Sequence, residues 1–398
     1  MDITIYPTLL SGTVHAIASK SQAHRLLICA AFADRSTTLV CPETNKDIEA
    51  TAECLRALGA QIQRTDEGFH VTPIVETPPS AVLNCAESGS TLRFLLPVVG
   101  ALGVDGIFQL EGRLPQRPMS PLWEEMEQMG CTLSRPTENT IRCSGKLQPG
   151  NYIISGSVSS QFITGLLYAM ALMPGSSRLN ITDTLESKPY VDMTQAALSA
   201  FGVKMDHFRV CGSRPFHSPG MLHVEGDWSN GAFFLAAKSL GSHVQTENLN
   251  NQSYQGDKAV LRALEQLEHH CTISAADIPD LIPILSVVAA AKNGAVFTHI
   301  QRLRLKESDR VAAVCSMLAS LGIHTESDQS TLTVFPGKFR GGSVDSVNDH
   351  RIAMATAIAA TIASGPVTIH NAQCVEKSYP SFWQVYQKLG GNYEQHIR

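Results

Sequence analysis

Six stretches of the chain are apolar on every side at helical spacing, and a cluster of polar residues precedes each. Residues 161–173 and 351–365 are the clearest. A helix with no polar face must be surrounded by protein. The polar starts are Ser21, Ser90, Ser160, Ser229, Asp280 and His350, spaced by 69, 70, 69, 51 and 70 residues. Amphipathic helices alternate with the apolar ones, and five of them end in an apolar residue followed by glycine: Leu58-Gly59, Met129-Gly130, Phe201-Gly202, Leu321-Gly322 and Leu389-Gly390. A glycine at that place suits a left-handed helix cap, where a Cβ would clash. These glycines differ by 71, 72, 120 and 68, and the gap of 120 has room for one more copy, at 264–267, whose glycine is missing. Two independent markers with one period define a six-fold repeat.

Short strands follow the apolar helices, as at 107–110 and 367–369. The simplest packing puts one buried helix of each repeat inside, with strands and amphipathic helices outside. Three buried helices share one core, so six repeats predict an α/β chain of two three-repeat domains. A solenoid is the alternative, but its units usually run 20–45 residues. Length and composition agree: 398 residues, 43% hydrophobic and 17% charged, suit two or three folded domains and exclude a disordered chain. A net charge of −5 argues against a nucleic-acid partner. The most apolar stretch, 281–291, is too short to span a bilayer, so no membrane partner is expected. The start, Met1-Asp2-Ile3-Thr4, lacks the basic and apolar blocks of a signal peptide, and a cytoplasmic location is expected. Ten cysteines without a Cys-x-x-Cys pair read as reduced thiols, mostly in the core.

The polar starts carry the candidate chemistry. Each helix start presents unpaired N–H groups and about half a positive charge. If the buried helices of a domain run parallel, their starts converge and form an anion site. The first reads Ser19-Lys20-Ser21, with Arg25 on the same helix face as Ser21. The second reads Glu87-Ser88-Gly89-Ser90-Thr91-Leu92-Arg93 and the third Ser157-Val158-Ser159-Ser160-Gln161. Serines there serve as N-caps in any protein. Lys20 and Arg25 do not fit that role, because cations are disfavoured at a helix start unless an anion offsets them. In the second half, 302–310 reads as the start of an amphipathic helix, with Lys306 and Arg310 one turn apart, a like-charge pair that costs a little unless an anion sits between them. The plain alternative is a solvated face on which Glu307 pairs with Arg310. Asp349-His350-Arg351 opens the sixth buried helix, Lys377 precedes Ser378-Tyr379-Pro380 at the last amphipathic helix, and Arg117-Pro118 holds the same place in the second repeat. Seven cations at element starts predict a small ligand with several phosphate or carboxylate groups, held in a cleft between the domains.

With these motifs stand Gln116-Arg117-Pro118, Ser187-Lys188-Pro189-Tyr190, Glu225-Gly226-Asp227, Ile278-Pro279-Asp280 and Lys306-Glu307-Ser308-Asp309-Arg310. Over nearly its whole length the chain resembles the 5-enolpyruvylshikimate-3-phosphate (EPSP) synthase family. The resemblance implies a two-domain inside-out α/β barrel, each domain three βαβαββ repeats with buried parallel helices. Residues 1–18 plus 226–398 would form one lobe and 19–225 the other, with the active site in the cleft. It implies transfer of the enolpyruvyl group of phosphoenolpyruvate to the 5-hydroxyl of shikimate 3-phosphate, a step of aromatic amino acid biosynthesis, by a monomer with no metal or organic cofactor. Carried over by motif, Lys20, Ser21, Arg25, Ser159, Ser160, Gln161, Ser187, Tyr190, Asp280 and Lys306 hold shikimate 3-phosphate. Lys20, Gly89, Arg117, Gln161, Arg310, Arg351 and Lys377 hold phosphoenolpyruvate. Asp280 accepts the 5-hydroxyl proton, while Glu307 and Lys20 move a proton to and from the methylene carbon. Gly89 would also bear on inhibition by glyphosate.

Two features depart from an even reading. From Glu268 to Asp280 the chain advances 12 residues, where the matching stretches of other repeats advance 27 to 31, so a strand or hairpin is missing. The sibling UDP-N-acetylglucosamine enolpyruvyl transferase typically has a cysteine five residues before the arginine matching Arg117; Gly112 stands here and favours the shikimate substrate. A noncatalytic anion-binding homologue is the other alternative, and Asp280, Lys306 and Glu307 weigh against it.

Overall fold

The computed structural model describes residues 1–212 and 216–396. The chain divides into two compact units, Ala18–Val224 and Met1–Ile17 with Glu225–Arg398. No described helix is long and apolar enough to cross a membrane.

In the unit Ala18–Val224 the helices alternate as the sequence pattern predicts: α1 (Lys20–Ala31), α2 (Lys46–Ala57), α3 (Gly89–Leu102), α4 (Leu122–Gln128), α5 (Ser160–Leu172) and α6 (Lys188–Ala200). The odd-numbered helices are the buried ones. Helices α3 and α5 touch backbone to backbone: a Cβ on Gly165 would run into the Arg93 carbonyl, so only glycine allows this approach. Three four-stranded sheets share one order. A lead strand pairs in parallel with the strand after the buried helix, and an antiparallel hairpin adds on the far side. The second repeat uses Ser80–Asn84, Asp105–Gln109, Thr140–Gly145 and Cys131–Ser134. The third uses Asn151–Ile154, Gly175–Ile181, Arg209–Gly212 and Met205–Asp206. In the first, Thr37–Val40 and the hairpin of Gln61–Thr65 with Gly68–Thr72 take their lead strand, Met221–His223, from the far end of the unit.

The other unit contains α7 (Trp228–Ser239), α8 (Val260–Gln266), α9 (Ile282–Ala291), α10 (Arg310–Ser320), α11 (His350–Ala360) and α12 (Phe382–Lys388). All eleven residues of α11 are buried, and its Thr356 hydroxyl donates back to the Ile352 carbonyl at 2.7 Å. The fifth repeat repeats the four-stranded order with Cys271–Ser274, Ala295–Thr298, Thr331–Val334 and Thr325–Ser327. In the sixth, Gly342–Asp345 and Val367–His370 are followed by the N-terminal strand Asp2–Tyr6 and then Asn392–His396. The fourth repeat is only two-stranded, Ser11–His15 with His243–Glu247. After α8 the chain passes directly to the lead strand Cys271–Ser274, so both hairpin strands are the missing piece.

Local chemistry explains why the elements begin and end where they do. Gly59, Gly130, Gly202, Gly322 and Gly390 have φ between +78° and +110°, the left-handed cap that the glycine pattern predicts. The polar clusters act as N-caps: Ser19, Ser88, Ser159, Asp227 and Asp349 each accept a first-turn amide. Helix α9 is the exception. No side chain caps it, and Pro283 in its first turn removes one amide that would need a partner. The adjacent Asp280 is turned to other work.

One expectation needs correction. Residues 302–310 are not one amphipathic helix. Gln301–Leu305 is a 3₁₀ turn, Lys306 is extended, and α10 starts only at Arg310 because Asp309 caps it, accepting the Ala312 amide at 3.1 Å. Lys306 and Arg310 therefore do not share a helical face. Arg117 and Lys377 likewise close 3₁₀ turns, Leu114–Gln116 and Ala372–Lys377, several residues before α4 and α12. These three cations occupy one repeated position, the exit of the 3₁₀ turn ahead of the amphipathic helix.

Candidate active site

The candidate residues fall into two clusters, one in each unit. In the unit Ala18–Val224 they gather at the starts of α1, α3, α5 and α6. Lys20 donates to Asp47 at 2.9 Å. Arg25 is buried and makes four hydrogen bonds. Nε bonds Thr194 at 2.9 Å, Nη1 the Ser21 carbonyl at 2.7 Å, and Nη2 both the Tyr190 carbonyl at 2.8 Å and Thr164 at 3.4 Å. Its face also lies over the Phe94 ring, 5.0 Å from the centroid. Arg25 thus braces α1 against α5 and α6.

Gln161 is fixed at both ends of its amide: the oxygen accepts from Arg93 at 2.7 Å and the nitrogen donates to Ser90 at 3.0 Å. Ser159 caps the same helix, with Ser160 buried beside it. Ser187, buried, enters α6 with φ +54°, a conformation that costs about 1–3 kcal/mol for a non-glycine residue and is held by its surroundings. Gly89 is the first residue of α3 and lies under two guanidinium groups. A Cβ there would come 2.7 Å from Arg117 Nη1 and 3.1 Å from Arg93 Nη1.

In the other unit, Asp280 is the hub. It accepts from Arg310 Nη1, from Arg351 Nη2 at 3.0 Å, and lies 3.6 Å from the Lys306 ammonium. Arg310, 1% exposed, also bonds Glu307 at 2.6 Å and Asp349 at 2.9 Å. Pairing of Glu307 with Arg310 therefore occurs as the plain reading held, but in a buried network rather than on a solvated face. Asp349 holds the network in place. One of its oxygens caps α11 at the Arg351 amide, 3.0 Å, and the other takes Arg310 and the Ser308 hydroxyl, 2.9 Å each. Lys377 donates to the Asn348 carbonyl at 3.0 Å, three residues before Arg351.

The electrostatics follow. Burial alone would raise the Asp280 carboxyl, but Arg351, Lys306 and Arg310 together hold it well below the usual carboxylate range. Burial pushes Lys306 down to about 8, against the pull of Asp280. Deeper in the same unit, Asp257 accepts from the Ser229 hydroxyl of α7 and is pushed up to about 7, by burial first and by the field of Asp280 next.

Four residues of this machinery went unassigned from sequence: Arg93, Asp349, Asp47 and Asp257. Arg93 had a signal, an arginine between Leu92 and Phe94 in an apolar helix. Asp349 read only as a helix opener. Nothing local marks Asp47 or Asp257, whose partners are 27 and 28 residues away.

A two-unit α/β fold built on buried helices, with cations and carboxylates gathered at their starts, is that of the enolpyruvyl transferases. The structure matches the EPSP synthase of Acinetobacter baumannii with a TM-score of 0.81 at 23% identity over 99% of both chains. It matches the enolpyruvyl transferase NikO of Streptomyces tendae with a TM-score of 0.76 at 18% identity, over 100% of this chain and 99% of that one. In sequence, a family profile described as EPSP synthase (3-phosphoshikimate 1-carboxyvinyltransferase) matches residues 6–386. Curated relatives called 3-phosphoshikimate 1-carboxyvinyltransferase, from Clostridium novyi and Clostridium kluyveri, are 36% and 35% identical, covering 98% and 99% of this chain and 98% of each relative. The chain belongs to the EPSP synthase family.

Proposed function

We propose that the chain transfers the enolpyruvyl group of phosphoenolpyruvate to the 5-hydroxyl of shikimate 3-phosphate and releases phosphate, as a cytoplasmic step of aromatic amino acid biosynthesis. Both clusters serve this one reaction. Ser21, Arg25, Ser159, Ser160, Gln161, Ser187, Tyr190 and Lys306 hold shikimate 3-phosphate. Lys20, Gly89, Arg117, Gln161, Arg310, Arg351 and Lys377 hold phosphoenolpyruvate. The observation that carries the reading is Asp280 bonded by Arg310 and Arg351 beside Lys306, in a chain of this family.

The chemistry needs a base at the alcohol, an acid at the methylene carbon and fixed cations for carboxylate and phosphate. Asp280 takes the hydroxyl proton as the oxygen attacks the carbon bearing phosphate, and Glu307 with Lys20 delivers a proton to the methylene. The resulting ketal then loses phosphate as that proton returns. A carboxylate held far below its usual range is a weak base. Anionic groups of phosphoenolpyruvate that engage Arg310 and Arg351 draw those cations away from Asp280 and raise its basicity. The base is therefore strengthened by binding of the substrate it works on.

The deciding experiment is phosphate release from phosphoenolpyruvate with shikimate 3-phosphate or a UDP-N-acetyl sugar as acceptor. Release with the first alone is expected. Release with the sugar nucleotide alone, or with neither, overturns the proposal.

Gly89 gives a sharper probe of the same site. Gly89→Ala would push its methyl into Arg117 and displace the guanidinium. One weakened charged hydrogen bond costs about 1.5–3 kcal/mol, so the KM for phosphoenolpyruvate is expected to rise roughly 10- to 100-fold. The KM for shikimate 3-phosphate should change little. Equal changes in both constants would contradict the placement of Arg117.

A further inference from the structure

Among the described residues, the strand after the buried helix is internal in five of the six sheets, with the lead strand on one side and an antiparallel strand on the other. In the fourth repeat that strand, His243–Glu247, is an edge. Its parallel register with Ser11–His15 fixes which backbone groups point where. The His243 amide donates to Leu10 at 2.8 Å and the Glu247 carbonyl accepts from Ala16 at 3.0 Å. Alternate residues address opposite edges, so His243, Gln245 and Glu247 face Ser11–His15. The N–H and C=O groups of Val244 and Thr246 face outward. Among the described residues, no hydrogen bond reaches those four groups.

The loss of the hairpin uncovers side chains as well. In the first, second and fifth repeats the amphipathic helix rests against the first hairpin strand, whereas α8 has none and leaves Leu261 41% exposed. Such an edge is a template for another strand.

We propose that the edge His243–Glu247 pairs with the same edge of a second copy of this chain, antiparallel about a two-fold axis through Gln245. In that register the strand is its own complement. Val244 faces Thr246 of the second copy and the reverse holds, so the outward groups of both chains close four backbone hydrogen bonds. His243 stands opposite Glu247 of the second copy, twice, and an imidazole N–H donates to a carboxylate in either protonation state. Gln245 faces itself, and its amide is both donor and acceptor. These three side chains are exposed, while Val244 is buried, so the joined strands keep a polar outer face and an apolar inner one. An unrelated extended peptide would satisfy the backbone but not the paired His–Glu contacts, which favours a second copy in a closed, isologous dimer.

Sedimentation of the full chain over about 1 to 300 µM tests this, because the mass of a weak dimer depends on concentration. The wild type is expected to rise from the monomer mass of 43.0 kDa toward twice that. Thr246→Pro removes an outward N–H at an edge that tolerates proline, and His243→Glu sets like charges face to face. Both are expected to hold the monomer mass over the whole range with turnover unchanged. The second keeps the test decisive if proline disturbs folding. A wild type that stays monomeric, as the family resemblance implies, overturns the proposal, and so does a dimer that survives His243→Glu in a folded protein.

Discussion

Asp280→Asn is expected to lower kcat about 10³-fold, within the range that a general base contributes. Asparagine keeps the shape of the side chain, but its single oxygen can accept from only one of Arg310 and Arg351, which bond different oxygens of Asp280, and it cannot take the 5-hydroxyl proton. The variant should fold, because Arg310 retains Glu307 and Asp349 as anionic partners. Binding should separate the two substrates. Arg310 and Arg351, no longer neutralised by Asp280, should hold phosphoenolpyruvate at least as well, so its KM stays level or falls. Lys306 responds in the opposite sense. Burial already pushes it down to about 8, and Asp280 is what opposes that fall. Without the carboxylate, the ammonium is lost at lower pH still, and the alkaline rise in KM for shikimate 3-phosphate should begin below the pH at which it begins in the wild type. Steady-state kinetics of both proteins between about pH 6 and 9 read all three effects. A kcat within tenfold of the wild type would remove Asp280 from the role of base, whatever the binding constants do.

The parts of the molecule legible in sequence are those set by local chemistry. Glycines after amphipathic helices need a left-handed cap, and helix-start serines and aspartates need an amide to accept, so both markers landed on real boundaries. The 12-residue gap before Asp280 was visible as a shortage. Its consequence, a strand that is internal in five sheets and an edge in one, needed the sheet order. What local pattern misread was 302–310, where helical spacing of Lys306 and Arg310 suggested one helix. Asp309 caps α10 instead and leaves Lys306 extended, so the two cations reach Asp280 from different backbone conformations. The interior polar network was the least legible part. Arg25 looked like a pure ligand group because its partners Thr164, Tyr190 and Thr194 lie more than a hundred residues away. Asp349 performs a visible task, capping α11, with one oxygen, and an invisible one, holding Arg310, with the other.

Arg310→Ala should be the most destabilising single change in this network. Arg310 is 1% exposed and joins three carboxylates, Asp280, Glu307 and Asp349, the last fully buried. Burial would lower its proton affinity, yet those three carboxylates raise it well above the ordinary arginine value, a sign of how strongly they hold the charge. Removing one partner of a buried ion pair costs about 3–5 kcal/mol, since the charge left behind keeps its desolvation penalty. For a domain of this size that corresponds to a Tm lower by roughly 10 °C. The pH dependence carries a sign that a simple cavity would not. A carboxylate with a depressed pKa stabilises the fold above its unfolded value, and that stability is lost as pH falls through the folded value. Arg310 helps to depress Asp280, so without it the folded value moves up toward the unfolded one and the variant has less stability to lose in acid; its Tm deficit should be largest near neutral pH and shrink as pH falls. Arg310→Lys, which restores a charge but not the three-way fork, should recover part of the Tm and little of the turnover. Thermal melts of the three proteins from about pH 3 to 7 would show it. If Arg310→Ala melted within 2–3 °C of the wild type at neutral pH, about what 1 kcal/mol would do, the network would be a set of exposed contacts rather than the buried frame that holds Asp280.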